Sequence, residues 1–101
     1  MVVDRKECLD AAKHCVCSDR DQQYGSPDVN MKKIAEFWTT YKGVEFSPKD
    51  VGVMMALLKI ARISSGQSKD DNYIDACGYL SLSCELETED STGTTSTVNY
   101  P

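Results

Sequence analysis

The feature that most constrains this chain is a helix-start signal followed at once by a stretch that is apolar on nearly every side. Ser47 and Asp50 have the spacing of a capping box, and Pro48 occupies the first helical turn. In residues 51–63 every position is apolar or glycine except for two cations. A helix of this composition has to be covered on more than one side. The pattern therefore predicts a helix that lies at the centre of a bundle or at an interface between subunits.

Two segments before this helix carry comparable start signals. Asp4 with Glu7 begins the first, which is predicted to end near Cys17. Ser26, followed by Pro27, begins the second. In the second segment, large apolar residues recur at three- to four-residue spacing and predict a core face: Ile34, Phe37, Trp38 and Tyr41.

A fourth helix is predicted after Gly66, which ends the apolar helix. Ser68 and Asp71 mark its start, and it is expected to run to about Glu87. Glycine costs about 1 kcal/mol relative to alanine inside a helix. The interior Gly78 therefore predicts a close backbone approach of another helix at that position.

The chain of 101 residues is long enough for one core. We predict an all-α fold, a four-helix up-and-down bundle with a disordered acidic C-terminal tail. The bundle domain is assigned to residues 1–87. The tail is assigned to residues 88–101, which are rich in Ser, Thr, Gly and acids. Three short helices cannot cover the apolar helix completely, so a homo-oligomer is predicted as well.

Composition excludes several classes of protein. No apolar run approaches the roughly 20 residues that span a bilayer, so no membrane association is expected. The N-terminus lacks a leader pattern, and a cytoplasmic location is predicted. The net charge of −5 disfavours non-specific binding to nucleic acid, whose phosphates carry the same sign.

Five cysteines, an odd number, fall inside the predicted helices, which favours reduced thiols over a disulfide framework. Cys8 and Cys15 are seven residues apart, as are Cys77 and Cys84. This spacing places each pair on one helical face and predicts small buried core residues. A zinc site would need four ligands, and Cys15 and Cys17 are too close to supply the usual spacing.

The two cations in the apolar helix, Lys59 and Arg62, are three residues apart and share a face. In one interpretation Asp71 and Asp75 on the next helix neutralise them in ion pairs. In the other, the cations bind an anionic ligand such as a nucleotide phosphate, and an aromatic ring stacks on its base. The predicted ligand site then includes side chains from the connector after the first helix: Arg20, Tyr24, Lys59, Arg62 and Asp75.

Carboxylates on neighbouring helices predict an alternative site. Asp71, Asp75 and Glu36 could offer oxygen ligands to Mg²⁺, the ion that helical pyrophosphohydrolases use to bridge substrate phosphates. Asp71 also lies where a helix cap is needed, and Glu36 has no acid three or four residues away. Structural roles are therefore favoured for these residues, and the main prediction is a protein without a metal or other cofactor.

Four separated motifs follow one another along the chain: Tyr24-Gly25-Ser26-Pro27, Trp38, Lys59-Ile60-Ala61-Arg62 and Asp75-Ala76-Cys77-Gly78-Tyr79. These motifs, in this order, resemble those of a family of small all-α domains of unknown function found in phages and prophages. The similarity covers about residues 5–86. More remotely, the helical layout resembles the MazG-like nucleotide pyrophosphohydrolases, although their Glu-x-x-Glu pair does not occur here.

The resemblance and the candidate residues together predict a phage accessory protein in the cytoplasm of the host cell. It is expected to sequester a small phosphorylated ligand, such as a nucleotide-derived signal, between subunits and without turnover, as a counter-defence protein would. One alternative is a Mg²⁺-dependent, MazG-like nucleotide pyrophosphohydrolase. Another is an inhibitor whose acidic surface and tail bind a basic host protein.

Overall fold

The computed structural model describes residues 3–19, 27–66 and 70–90, and these residues form helices and short connections with no strand. A π-helical turn, Cys15–Asp19, directly continues the first helix. The all-α, four-helix prediction is confirmed. The helices are α1 (Arg5–His14), α2 (Pro27–Lys42), α3 (Pro48–Ser64) and α4 (Asp70–Asp90).

The start signals act as the sequence predicted. At α1, the Asp4 side chain accepts a hydrogen bond from the backbone N–H of Glu7 at 2.8 Å. At α3, the Ser47 N–H donates to Asp50 Oδ2 at 2.9 Å, and the Asp50 N–H donates to Ser47 Oγ at 3.3 Å, which completes the capping box. Gly66 follows α3 with φ +84°, a conformation that favours glycine. The predicted caps of α2 and α4, at positions 26 and 68, lie outside the described residues.

The closest helix contact in the described structure joins α3 and α4, which run antiparallel. A Cβ added at Gly52 would overlap the hydroxyl of Ser83 and would lie 2.9 Å from the carbonyl oxygen of Tyr79. The Ser83 hydroxyl donates to the carbonyl oxygen of Lys49 at 2.9 Å. The absence of a side chain at Gly52 is therefore what allows the two backbones to approach.

The core lies where α2, α3 and α4 meet. The ring of Trp38 packs edge-on against Phe46, with centroids 6.0 Å apart and planes at 84°. Helix α1 and its π-helical turn also pack on α4, and Val16 of this turn packs against the core cluster. The Cγ1 atom of Val16 would lie 3.0 Å from a Cβ on Gly78. The predicted close backbone approach of another helix at Gly78 is therefore wrong, because the neighbouring atom belongs to a side chain of the π-helical turn. The buried core cluster consists of Met31, Ala35, Val51, Leu82 and Leu86.

The predicted core face of α2 is only half right. Phe37 and Tyr41 are 67% and 85% exposed, whereas Ile34 and Trp38 pack against the buried cluster. The buried stripe of α2 combines these two residues with Met31 and Ala35, at the i, i+3, i+4, i+7 spacing of one helical face. The prediction failed because two overlapping stripes have the same periodicity, and only the position of α3 decides which is covered.

Two further predictions need correction or limits. The cysteines form no disulfide, as predicted, but none of them is a buried core residue: Cys8 and Cys77 are half-buried, and Cys15, Cys17 and Cys84 are exposed. Helix α4 continues to Asp90, three residues beyond its predicted end. The remainder of the predicted tail lies outside the described residues. Within the described chain, no helix has both the length and the apolar content that a bilayer span requires.

Candidate functional site

The most distinctive surface of the described structure is a charge-free apolar area on α3. The side of α3 that packs on α2 and α4 carries the buried residues Val51, Gly52 and Ala56. The opposite side is also apolar but is open to solvent, with Leu57 and Ile60 56% and 48% exposed. We call this side the outer face of α3. It consists of Val53, Met54, Leu57, Leu58, Ile60 and Ala61.

The outer face follows directly from the composition of α3. A helix that is apolar all round is expected to be buried on all sides, but α2 and α4 cover only part of its circumference. Soluble monomers rarely expose contiguous apolar areas of more than a few hundred Å², and larger ones mark interaction sites. The covering partner expected from the sequence stays a prediction, and the outer face is the part of α3 that such a partner would cover.

The ion pair expected between α3 and α4 is present for one of the two cations. Lys59 Nζ lies 2.9 Å from Asp75 Oδ2, and the two side chains are 14% and 38% exposed. This contact matches the structural interpretation of Lys59. It also engages Asp75, which was predicted both as a ligand-binding residue and as an alternative metal ligand. A second bridge between the same helices joins Lys49 to Glu87 at 3.8 Å.

Arg62 differs from Lys59 in its surroundings. It is exposed in the last turn of α3, and no described carboxylate oxygen lies within the 4.0 Å that defines an ion pair. The guanidinium is therefore available to an anion from outside the described structure. The structure brings Lys59 and Asp75 together and leaves Arg62 about one helical turn away. Arg20 and Tyr24, the other predicted ligand residues, lie outside the described residues.

The carboxylates considered for Mg²⁺ are not gathered into one site. Glu36 on α2 and Asp71 on α4 are both exposed, while Asp75 pairs with Lys59. Across the described residues, no group of three or more His, Cys, Asp or Glu side chains is arranged to hold a metal ion.

Two acids of α1, Glu7 and Asp10, are three residues apart, a spacing that could place two carboxylates on one helical face. However, Asp10 accepts a bond from Lys6 at 2.9 Å on the helix surface. This i, i+4 ion pair is exposed, and such pairs contribute little to stability.

A cavity of about 290 Å³ opens between the start of α1 and α4. None of the predicted ligand residues lines it, so sequence reasoning did not anticipate this feature. Its charged residues are the cap Asp4 and the neighbouring Arg5, and both are exposed. The walls are formed by Val3, Asp4, Arg5, Cys8 and Tyr73.

The fold and the uncovered α3 face define a small, all-α domain, and comparison with known proteins identifies its family. The chain belongs to the family described as a domain of unknown function, DUF6378, whose model matches residues 7–87. This confirms the resemblance to phage domains of unknown function. The more remote likeness to MazG-like enzymes stays a prediction.

Two phage proteins are similar to this chain. The Gene 55 protein of Mycobacterium phage L5 is 44% identical over 75 residues, which are 73% of this chain and 48% of that protein. The Gene 55 protein of Mycobacterium phage D29 is 35% identical over 71 residues, 70% of this chain and 47% of that protein. The chain thus spans about half the length of these relatives. No solved structure matches it.

Proposed function

We propose that this chain is a non-enzymatic, phage-type accessory protein that works by binding another protein chain through the outer face of α3. The observation that carries the proposal is the exposure of apolar side chains along α3 with no charged group among them. Removing such surface from water contributes about 25 cal/mol per Å². A partner that covers the face therefore has a large driving force, whereas an isolated monomer leaves it in contact with water.

A charge placed in the middle of the face tests the proposal. Leu57→Asp would leave the fold intact, because the side chain is 56% exposed in the isolated chain. In a complex the carboxylate would be buried without a partner, which is costly. We expect Leu57→Asp to reduce retention of the bound partner by about tenfold or more. The assay is affinity purification from a mycobacterial extract, with an untagged copy of the chain co-expressed so that self-binding is scored too.

The matched control is Leu9→Asp on α1, because Leu9 is 59% exposed and the substitution is the same. Proteins retained by the wild type and by Leu9→Asp, but lost from Leu57→Asp, support the proposal once purified components reproduce the result. If both variants retain the same proteins as the wild type, the outer face of α3 is not the binding surface.

A second candidate function rests on Arg62. We infer that this exposed guanidinium, which has no described carboxylate partner, binds the phosphate of a small ligand such as a nucleotide or nucleotide-derived signal. Lys59 adds positive charge one turn away, although Asp75 already neutralises it. Arg20 and Tyr24 remain predicted members of this site. The proposal needs no metal ion and no turnover.

Titration calorimetry against nucleotides and cyclic nucleotides tests this candidate. Arg62→Glu is expected to weaken binding by about 10- to 100-fold, since a hydrogen bond to a charged group contributes about 1.5–3 kcal/mol. Circular dichroism should show an unchanged fold, because Arg62 makes no described ion pair. Lys32→Glu, at an exposed lysine on α2, is the control for net charge. If the wild type binds none of these nucleotides and cyclic nucleotides, this candidate function is wrong.

A further inference from the structure

The chain itself offers a surface that matches the outer face of α3, namely the same face on a second copy. Resting on the binding function proposed above, we infer that two copies pair through this face. The two α3 helices run antiparallel, and the two-fold axis of the dimer passes beside Leu57. The interface is isologous: each outer-face residue that precedes Leu57 lies, on the other copy, at the level of the residue an equal distance after it.

The order of side chains along α3 suits this pairing. Met54 and Ile60 lie three positions before and after Leu57, so they oppose each other across the two-fold axis. Val53 and Ala61 lie four positions before and after it, which places a small side chain opposite a branched one. Each opposed pair is apolar, and alternation of large and small residues lets two helices interdigitate.

The charges of α3 favour the antiparallel direction. Two of its four charged residues, Lys49 and Lys59, form ion pairs with α4. The other two are Asp50 in the first turn and Arg62 in the last. Antiparallel pairing brings the acidic end of one α3 beside the basic end of the other and places the two helix dipoles side by side in opposite directions, which is favourable. Parallel pairing would bring like charges together at both ends.

The size of the face sets the expected strength of the dimer. Six side chains on each copy are fewer than the roughly 20–30 residues per side of a standard stable interface. We therefore expect a dimer that dissociates in the micromolar range rather than a permanent one. Its net charge of −5 per copy also opposes association, so added salt should strengthen it.

Charge complementation across the two-fold axis tests both the partner and the direction. Met54→Glu and Ile60→Lys each place one charge on the face, at side chains that are 39% and 48% exposed. In sedimentation experiments over the micromolar range, each single variant should raise the dimer dissociation constant by about tenfold or more. The double variant should recover most of that loss, because position 54 of one copy contacts position 60 of the other.

Reducing agent is needed throughout, since Cys15, Cys17 and Cys84 are exposed thiols that could link copies covalently. A wild type that stays monomeric at high micromolar concentration overturns the dimer. In that case the proposed binding function still holds if the wild type retains another protein in the affinity purification and Leu57→Asp does not. A dimer that the single variants leave unchanged forms through another surface and overturns the pairing proposed here, whereas the comparison of Leu57→Asp with Leu9→Asp still decides the binding function. Loss in the single variants without recovery in the double variant overturns the antiparallel arrangement.

Discussion

Met31→Ala is expected to lower the free energy of unfolding by about 2–5 kcal/mol, the range for truncating a buried methionine to alanine. Met31 is 2% exposed and belongs to the cluster that joins α2 to α3 and α4 through Val51 and Leu82. The truncation removes contacts with all three helices and leaves a cavity that a packed core cannot close completely. Urea denaturation followed by circular dichroism measures the change.

Met54→Ala is the matched control, because it removes the same atoms from a methionine that is 39% exposed. On the surface of an isolated chain the substitution should change stability by about 0.5 kcal/mol or less. The measurement is made at low protein concentration, where self-association contributes nothing. Equal losses at Met31 and Met54 would contradict the assignment of the core to the inner side of α3.

Gly52→Ala is expected to destabilise the protein by about 1–3 kcal/mol, even though alanine is the better helix former. The new methyl group would overlap the Ser83 hydroxyl and lie 2.9 Å from the Tyr79 carbonyl oxygen. This overlap is relieved only if α3 and α4 move apart, and their separation weakens the contacts along both helices. Thermal unfolding should show the change as about 4–8 °C per kcal/mol for a domain of this size.

Gly78→Ala is the comparison variant for Gly52→Ala, and its stability is measured by the same thermal unfolding experiment. A Cβ there would lie 3.0 Å from Val16 Cγ1, a side-chain atom that can move, and no backbone atom lies close. The gain in helix propensity, about 1 kcal/mol, should offset most of the crowding. We expect stability within about 1 kcal/mol of the wild type. If Gly52→Ala were as mild as Gly78→Ala, the close crossing of α3 and α4 would be wrong.

The structure changes the balance between the functional hypotheses. The nucleotide hypothesis began with two cations on α3, and one of them is paired with Asp75 at 2.9 Å. Its remaining described support is Arg62, whose exposure leaves it free to meet an anion. The protein binding proposed above rests instead on the apolar face of α3 that is open to solvent, and not on the acidic surface and tail considered from the sequence. A phosphate site at the end of α3 and a dimer along its middle are compatible, since they use different residues.

Local signals in the sequence were sufficient for the helices themselves. The capping residues Asp4, Ser47 and Asp50 satisfy backbone groups within three residues of themselves, so their effect does not depend on the rest of the fold. The same holds for Gly66, whose positive φ ends α3. Family membership was also readable, because it depends on motifs distributed along the chain.

What the sequence by itself determined, then, is the number of helices, their start points and the apolar character of α3 on all sides. Only the tertiary structure decided which sides are covered: Phe37 faces solvent, and Lys59 rather than Arg62 finds a carboxylate. The physical reason is that helix periodicity defines faces, but not the direction from which another helix approaches. That direction depends here on Gly52, where the missing side chain lets α4 cross α3 closely and leaves the outer face of α3 uncovered.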